Sequence, residues 1–128
     1  MFKLALSLIY WFLVRRNYFR GSYKAAIKYF GKLKDVFEVK FRHRAFYATL
    51  LMLDGQGKEA LELFQRVANE IDQYENDEKT DNLIYIQAYC LMYASGLKGL
   101  SDGNGFFKIA KKSGADKSIR NCLPLPTT

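Results

Sequence analysis

The sequence is short of most features that would announce chemistry. Its two prolines, Pro124 and Pro126, both stand at the C-terminal end, so none interrupts residues 1–123. Proline ends helices by removing an amide donor and crowding the preceding turn; without it, long helices are unhindered. The two cysteines, Cys90 and Cys122, form no CxxC pair and are too few for a secreted disulfide framework. Cys90 falls inside an apolar helical pattern, as a small core hydrophobe does. A reducing, cytoplasmic setting is therefore expected, with association to a membrane surface as the variant. The single histidine, His43, lies between Arg42 and Arg44. Beside two cations it is expected to face solvent or a partner, and it has no nucleophile to serve. No cluster supplies the three or four ligands that zinc takes, so neither metal nor cofactor is expected. The glycine-rich stretch GLSDGNG, residues 99–105, lacks both the Lys-Ser/Thr of a phosphate cradle and the later acid of a calcium loop. It reads as a turn.

A long apolar run is missing too. Residues 4–14, LALSLIYWFLV, span about 16 Å as a helix, half of a bilayer's hydrocarbon core. A secretory signal would be followed by a small-x-small site; here Asn17, Tyr18, Phe19 and Arg20 follow. The expectation is a buried first helix. A helix apolar all round needs cover on more than one side. The next helix covers one face, and a partner, a second copy or a lipid surface covers the other. Strand signals are weak, because no Asn-Gly or Asp-Gly dipeptide separates two alternating runs.

What the chain does have is apolar and aromatic content, 49% and 16% of its 128 residues. That excludes disorder and suffices for one domain with a real core. Residues 1–123 form that domain, with residues 124–128 as a tail. The net charge is +7, unevenly spread. Residues 1–66 hold thirteen Lys/Arg against five Asp/Glu, residues 67–128 seven against eight, and six acids crowd residues 70–81. Such asymmetry steers partners rather than fold.

Apolar residues recur at helical spacing over residues 22–34, 41–53, 58–72 and 82–95. Gly21 and Ser22, then Gly55, Gln56 and Gly57, separate the early stretches, glycine being the natural C-cap and Ser22 a plausible N-cap. Thr80 or Asp81 caps the fifth helix. Short connections imply antiparallel neighbours. Self-similarity is more specific. Gly21, Ala26, Phe30 and Leu33 reappear at one constant offset as Gly55, Ala60, Phe64 and Val67. Ala88, Leu91 and Met92 echo Ala48, Leu51 and Met52 at a longer offset, the acidic loop supplying the difference.

This pattern resembles the tetratricopeptide repeat, which shares the period of that first offset and has an A-x3-F second helix. The first-helix half falls on Tyr10, Leu13, Val14 and Asn17, then on Arg44, Tyr47, Ala48 and Leu51; Glu38 and Asp72 stand where the family has proline. The resemblance covers roughly residues 4–95. It implies an all-α fold of antiparallel helix pairs stacked as a short right-handed α-solenoid, with units at about 7–40, 41–74 and a degenerate 80–113. The first helix and the segment Phe106, Phe107, Ile109, Ala110 would cap the stack. It also implies a non-catalytic module that binds a peptide or protein in a groove lined by the first helices.

The basic first half favours an acidic partner. Arg15, Arg16, Arg20, Lys40, Arg44 and Tyr47 are the candidate contacts, arginine and tyrosine being favoured anchors. Two other readings remain open: a small immunity-type inhibitor of a toxin domain, and a basic nucleic-acid-binding protein whose interleaved aromatics stack on bases.

Overall fold

The computed structural model describes residues 2–36, 39–75 and 78–99, together with Gly105, Lys108, Ile109 and Leu123. They form five helices: α1 (Phe2–Phe19), α2 (Tyr23–Val36), α3 (Phe41–Leu53), α4 (Gly57–Asp72) and α5 (Asp81–Leu97). No strand occurs among the described residues.

Local chemistry sets the boundaries. At the end of α1, Gly21 takes φ +76°, its N–H donates to Tyr18 O, and Ser22 N–H donates to Asn17 O. The end of α3 repeats this with Gly55 at φ +84°, Gly55 N–H to Met52 O and Gln56 N–H to Leu51 O. Both are the left-handed glycine cap that satisfies the last carbonyls of a helix. A side chain at either glycine would strain the turn although space is open around it. At the start of α5, Thr80 Oγ1 accepts from Leu83 N–H at 3.2 Å.

Three successive pairs, α1/α2, α3/α4 and α4/α5, run antiparallel. Leu33 near the end of α2 lines a small cavity with Ser7 and Leu8 near the start of α1. Arg44 early in α3 meets Glu70 late in α4. A Cβ placed on Gly57, which opens α4, would lie 3.6 Å from Leu97 at the end of α5. The odd helices also meet: Trp11 of α1 packs edge-on against His43 and Phe46 of α3, and Thr49 Oγ1 of α3 lies 2.8 Å from Tyr89 Oη of α5. With α1, α2, α4 and α5 around it, α3 is the central element. This is why its buried side includes His43, Ala45, Phe46, Ala48, Thr49, Leu50 and Leu51 rather than one stripe.

The positions that recur at the constant offset share one environment. Ala26 and Ala60, Phe30 and Phe64, Leu33 and Val67 are all buried. Buried alanines let helix backbones approach, and each phenylalanine fills the space beyond. Phe30 stacks on Tyr47 with centroids 4.7 Å apart, and Phe64 on Tyr93 at 5.6 Å. The second contact falls further along its helix than the first, for Tyr93 stands near the end of α5 and Tyr47 mid-way along α3. Val14, Ala48 and Ala88, the equivalent positions of the odd helices, are buried too. Cys90 is a fully buried thiol of this core, as its apolar surroundings in sequence suggest. The C-terminal segment reaches the core at Leu123, which is fully buried and whose carbonyl accepts from Tyr85 Oη.

Two expectations are corrected. His43 does not face solvent or a partner: it is buried, its Nδ1 accepts Lys40 N–H at 3.1 Å, and the Trp11 ring stands edge-on at 5.1 Å. Its place in the first turn of the central helix turns it inward, beneath two cations that stay near the surface. Nor is the first helix fully buried by this fold. Leu4, Leu8, Ile9, Phe12 and Phe19 are each more than half exposed, because α1 is an edge helix that has neighbours on one side among the described residues. Of the expected C-terminal cap, Ile109 is 49% exposed; Phe106, Phe107 and Ala110 lie outside the described residues.

Candidate functional site

The start of α3 places Lys40, Arg42 and Arg44 within a turn and a half of one another. Arg44 is the hub. Its Nη1 donates to Glu70 Oε1 at 3.0 Å and its Nη2 to Glu70 Oε2 at 2.5 Å. Such a fork-to-fork pair fixes both side chains. The hydrogen bond from Arg44 holds the Glu70 carboxyl below the usual carboxylate range, and the same bond raises Arg44. The Arg44 guanidinium also lies 5.7 Å from the centroid of Phe41, which meets Tyr74 edge-on. Both partners remain partly open to solvent, Arg44 at 23% and Glu70 at 42%.

Two clefts meet at this pair. One, of about 420 Å³, is bounded by Lys40, Phe41 and Arg42 on the α3 side, Glu70 and Tyr74 on the α4 side, and Leu83 and Ile86 of α5. The other, of about 330 Å³, lies between α2 and α4 over α3, with Lys34, Tyr47, Glu59, Glu62 and Arg66 on its walls. Val39 and Arg44 line both. In the second cleft, Tyr47 is held by its stack on Phe30, and Lys34 Nζ lies 5.5 Å from its ring centroid. The clefts therefore mix charge: Lys34, Lys40, Arg42, Arg44 and Arg66 stand among Glu59, Glu62 and Glu70. Arg42 Nε is buried and has no hydrogen-bond partner among the described residues.

The six residues singled out in sequence fall into two groups. Lys40, Arg44 and Tyr47 belong to the α3 clefts. Arg15, Arg16 and Arg20 line a separate depression of about 580 Å³ on α1, together with Leu8, Phe12 and Phe19. The two groups share no cleft. The clefts also differ from the groove expected of the first helices, since α4 walls both and α2 walls one. Sequence reasoning missed Glu70 as the partner of Arg44, and Lys34, Glu59 and Glu62 as wall residues. Periodicity assigns these to polar faces but does not say which polar faces meet. The acidic stretch after α4 behaves as a solvated segment: Glu75, Glu78 and Asp81 are exposed, and Lys79 Nζ lies 3.8 Å from Asp72 Oδ1. No group of three potential metal ligands occurs among the described residues.

Comparison with family models gives no match, and neither do searches of curated proteins and of solved structures.

Proposed function

We propose that the chain is a non-catalytic binding module of the tetratricopeptide type, which takes an acidic segment of a partner protein in the clefts around Arg44. The observation that carries this reading is the Arg44–Glu70 pair. It is a partly exposed arginine fork at the meeting point of two clefts, already shaped for a carboxylate. A partner's Asp or Glu would exchange for Glu70 on that fork. Lys40 and Lys34 would add charge at either end, and Phe41, Tyr74 and Ile86 would give apolar contact. The environments shared between the two sets of recurring positions support the helical-repeat part of the reading, in which stacked helix pairs offer an extended surface to a partner. The mixed charge disfavours nucleic acid, because Glu59, Glu62 and Glu70 would oppose a phosphate chain in the same clefts.

The test is capture of the co-purifying partner followed by titration calorimetry with Arg44→Gln and Tyr47→Ala, both checked for unchanged helicity. Affinity should fall about tenfold or more with Arg44→Gln, as for a charged hydrogen-bonded anchor. Unchanged affinity in both variants would remove the site from these clefts.

A further inference from the structure

The first helix is as apolar as the central one but lacks the central one's cover. Ser7 and Val14 are buried and Trp11 and Tyr18 half-buried against α3. The opposite side carries Leu4, Leu8, Ile9, Phe12 and Phe19 at exposures of 64, 63, 52, 60 and 69%. At roughly 100° per residue, Leu8, Phe12 and Phe19 fall on one line along the helix, with Arg15 to one side of it and Arg16 to the other. Arg15 lies 5.9 Å from the Phe19 ring centroid. A row of large apolar side chains this exposed is uncommon on a protein that meets water alone.

The charge around the row is of one sign. Residues 1–34 contain eight Lys/Arg and no Asp or Glu; the first acid is Asp35. Lys24, Lys28 and Lys32 of the adjoining helix are all exposed or half-exposed. A second copy meeting this face through the same face would bring two strongly cationic hairpins together, each with Asp35 as the one acid of α1 and α2. A protein partner would have to supply a groove fitted to a convex ridge about 27 Å long. A bilayer surface needs no such fit, since acyl chains close around protruding side chains while anionic headgroups meet the flanking arginines. No described helix is long and apolar enough to cross a membrane, so contact would be in the plane of the surface. Lipid on the outer side would account for the absence of a polar face on α1, whose other side is covered by α2 and α3.

We infer that α1 is an in-plane docking helix for an anionic membrane surface, with Leu4, Leu8, Ile9 and Phe12 entering the headgroup boundary and Arg15, Arg16 and Arg20 binding lipid phosphates. This surface is separate from the α3 clefts and stands whether or not they bind a partner.

Sedimentation of the full chain with phosphatidylcholine vesicles, with and without phosphatidylserine, tests it. Binding is expected with phosphatidylserine, weakening as salt is raised, and little without it. Leu8→Ser/Phe12→Ser should weaken binding about tenfold or more, since two largely exposed side chains that enter the lipid are lost. Arg15→Gln/Arg16→Gln keeps the apolar row and removes the two charges, with the contact of Arg15 over Phe19; it should weaken binding about fivefold per arginine, at roughly the strength of one basic residue near an anionic surface. Helicity by circular dichroism should stay unchanged in both. The inference is overturned by failure to sediment with anionic vesicles, or by sedimentation that neither variant alters. It is equally overturned if the chain is a dimer in solution that Leu8→Ser/Phe12→Ser converts to monomer, or if the two variants abolish capture of a protein partner and leave vesicle binding intact.

Discussion

Arg44 and Glu70 are joined by two hydrogen bonds across 26 positions of sequence, from the first turns of α3 to the last turns of α4. If the cleft accepts a partner's carboxylate, Glu70 is its internal competitor. Glu70→Gln should therefore tighten an acidic partner by several-fold, measured by calorimetry. The exposure of the pair limits its worth to stability to about 1 kcal/mol or less. Arg44 depresses the folded-state pKa of Glu70, so this contribution is present above the unfolded carboxylate value of 4.5 and is lost as pH falls through the lower folded one. Urea melts of wild type and Glu70→Gln should differ slightly at neutral pH and converge in strong acid.

A larger acid response belongs to His43. Burial, and then the charges of Arg42 and Lys40, push its imidazole down to about 4 from the ordinary 6.5. The ring is neutral at pH 7, its Nδ1 accepting from Lys40 N–H and Trp11 packing on it from α1. The folded state binds the proton less readily than the unfolded one. Stability is therefore fully present above about pH 6.5, declines below it and levels off under about pH 4. The total loss is on the order of 3 kcal/mol. His43→Asn keeps an acceptor without a titrating ring, and its melts should lack this slope.

Thr49 and Tyr89 carry the polar link between α3 and α5. Thr49 Oγ1 donates to Ala45 O at 2.9 Å, so its single proton is engaged and Tyr89 Oη is the donor to it at 2.8 Å. Tyr89→Phe should cost about 1 kcal/mol in chemical denaturation. Thr49→Val should cost about 1–3 kcal/mol, because the fully buried phenol loses its Thr49 acceptor and keeps only Tyr93 as a hydroxyl within reach. The double variant should be less destabilised than the sum of the two.

Phe30 and Phe64 occupy equivalent places in α2 and α4, each stacked on a tyrosine of the following helix. Phe30→Ala and Phe64→Ala should each destabilise by about 3–5 kcal/mol through lost burial and the cavity left behind. Ala60→Leu, at a position with no exposed surface, should destabilise by about 1–3 kcal/mol through overpacking. Values far below these at either phenylalanine would show that the site collapses around the deletion.

In a Cys122→Ser background, Cys90 should not react with an aromatic disulfide reagent until the protein unfolds. Burial raises its thiol well above the ordinary range, which removes the reactive thiolate as well as access. Reaction at the rate of an exposed thiol in the native protein would contradict its place in the core.

Helices α2 to α5 were legible in the sequence nearly to their ends, as were the caps at Gly21, Gly55 and Thr80 and the buried Ala26, Phe30, Ala60 and Phe64. These features depend on helical spacing and on the backbone needs of a chain end, which neighbouring residues settle among themselves. The candidate site was legible in part. Arg44 and Tyr47 do line clefts, but their partners Glu70 and Phe30 stand on other helices, and no local rule pairs them.

The sequence by itself determined that the chain is helical, where α2 to α5 start and stop to within about two residues, and which face of the amphipathic α2 and α4 turns inward. The tertiary structure alone decided that His43 is buried, that Arg44 meets Glu70, and that the outer side of α1 stays uncovered. Each of these depends on how many neighbours a helix has. The central α3 is enclosed even at its polar first turn, whereas α1, of similar composition, lies at the edge of the described helices and leaves Leu4, Leu8, Ile9, Phe12 and Phe19 open.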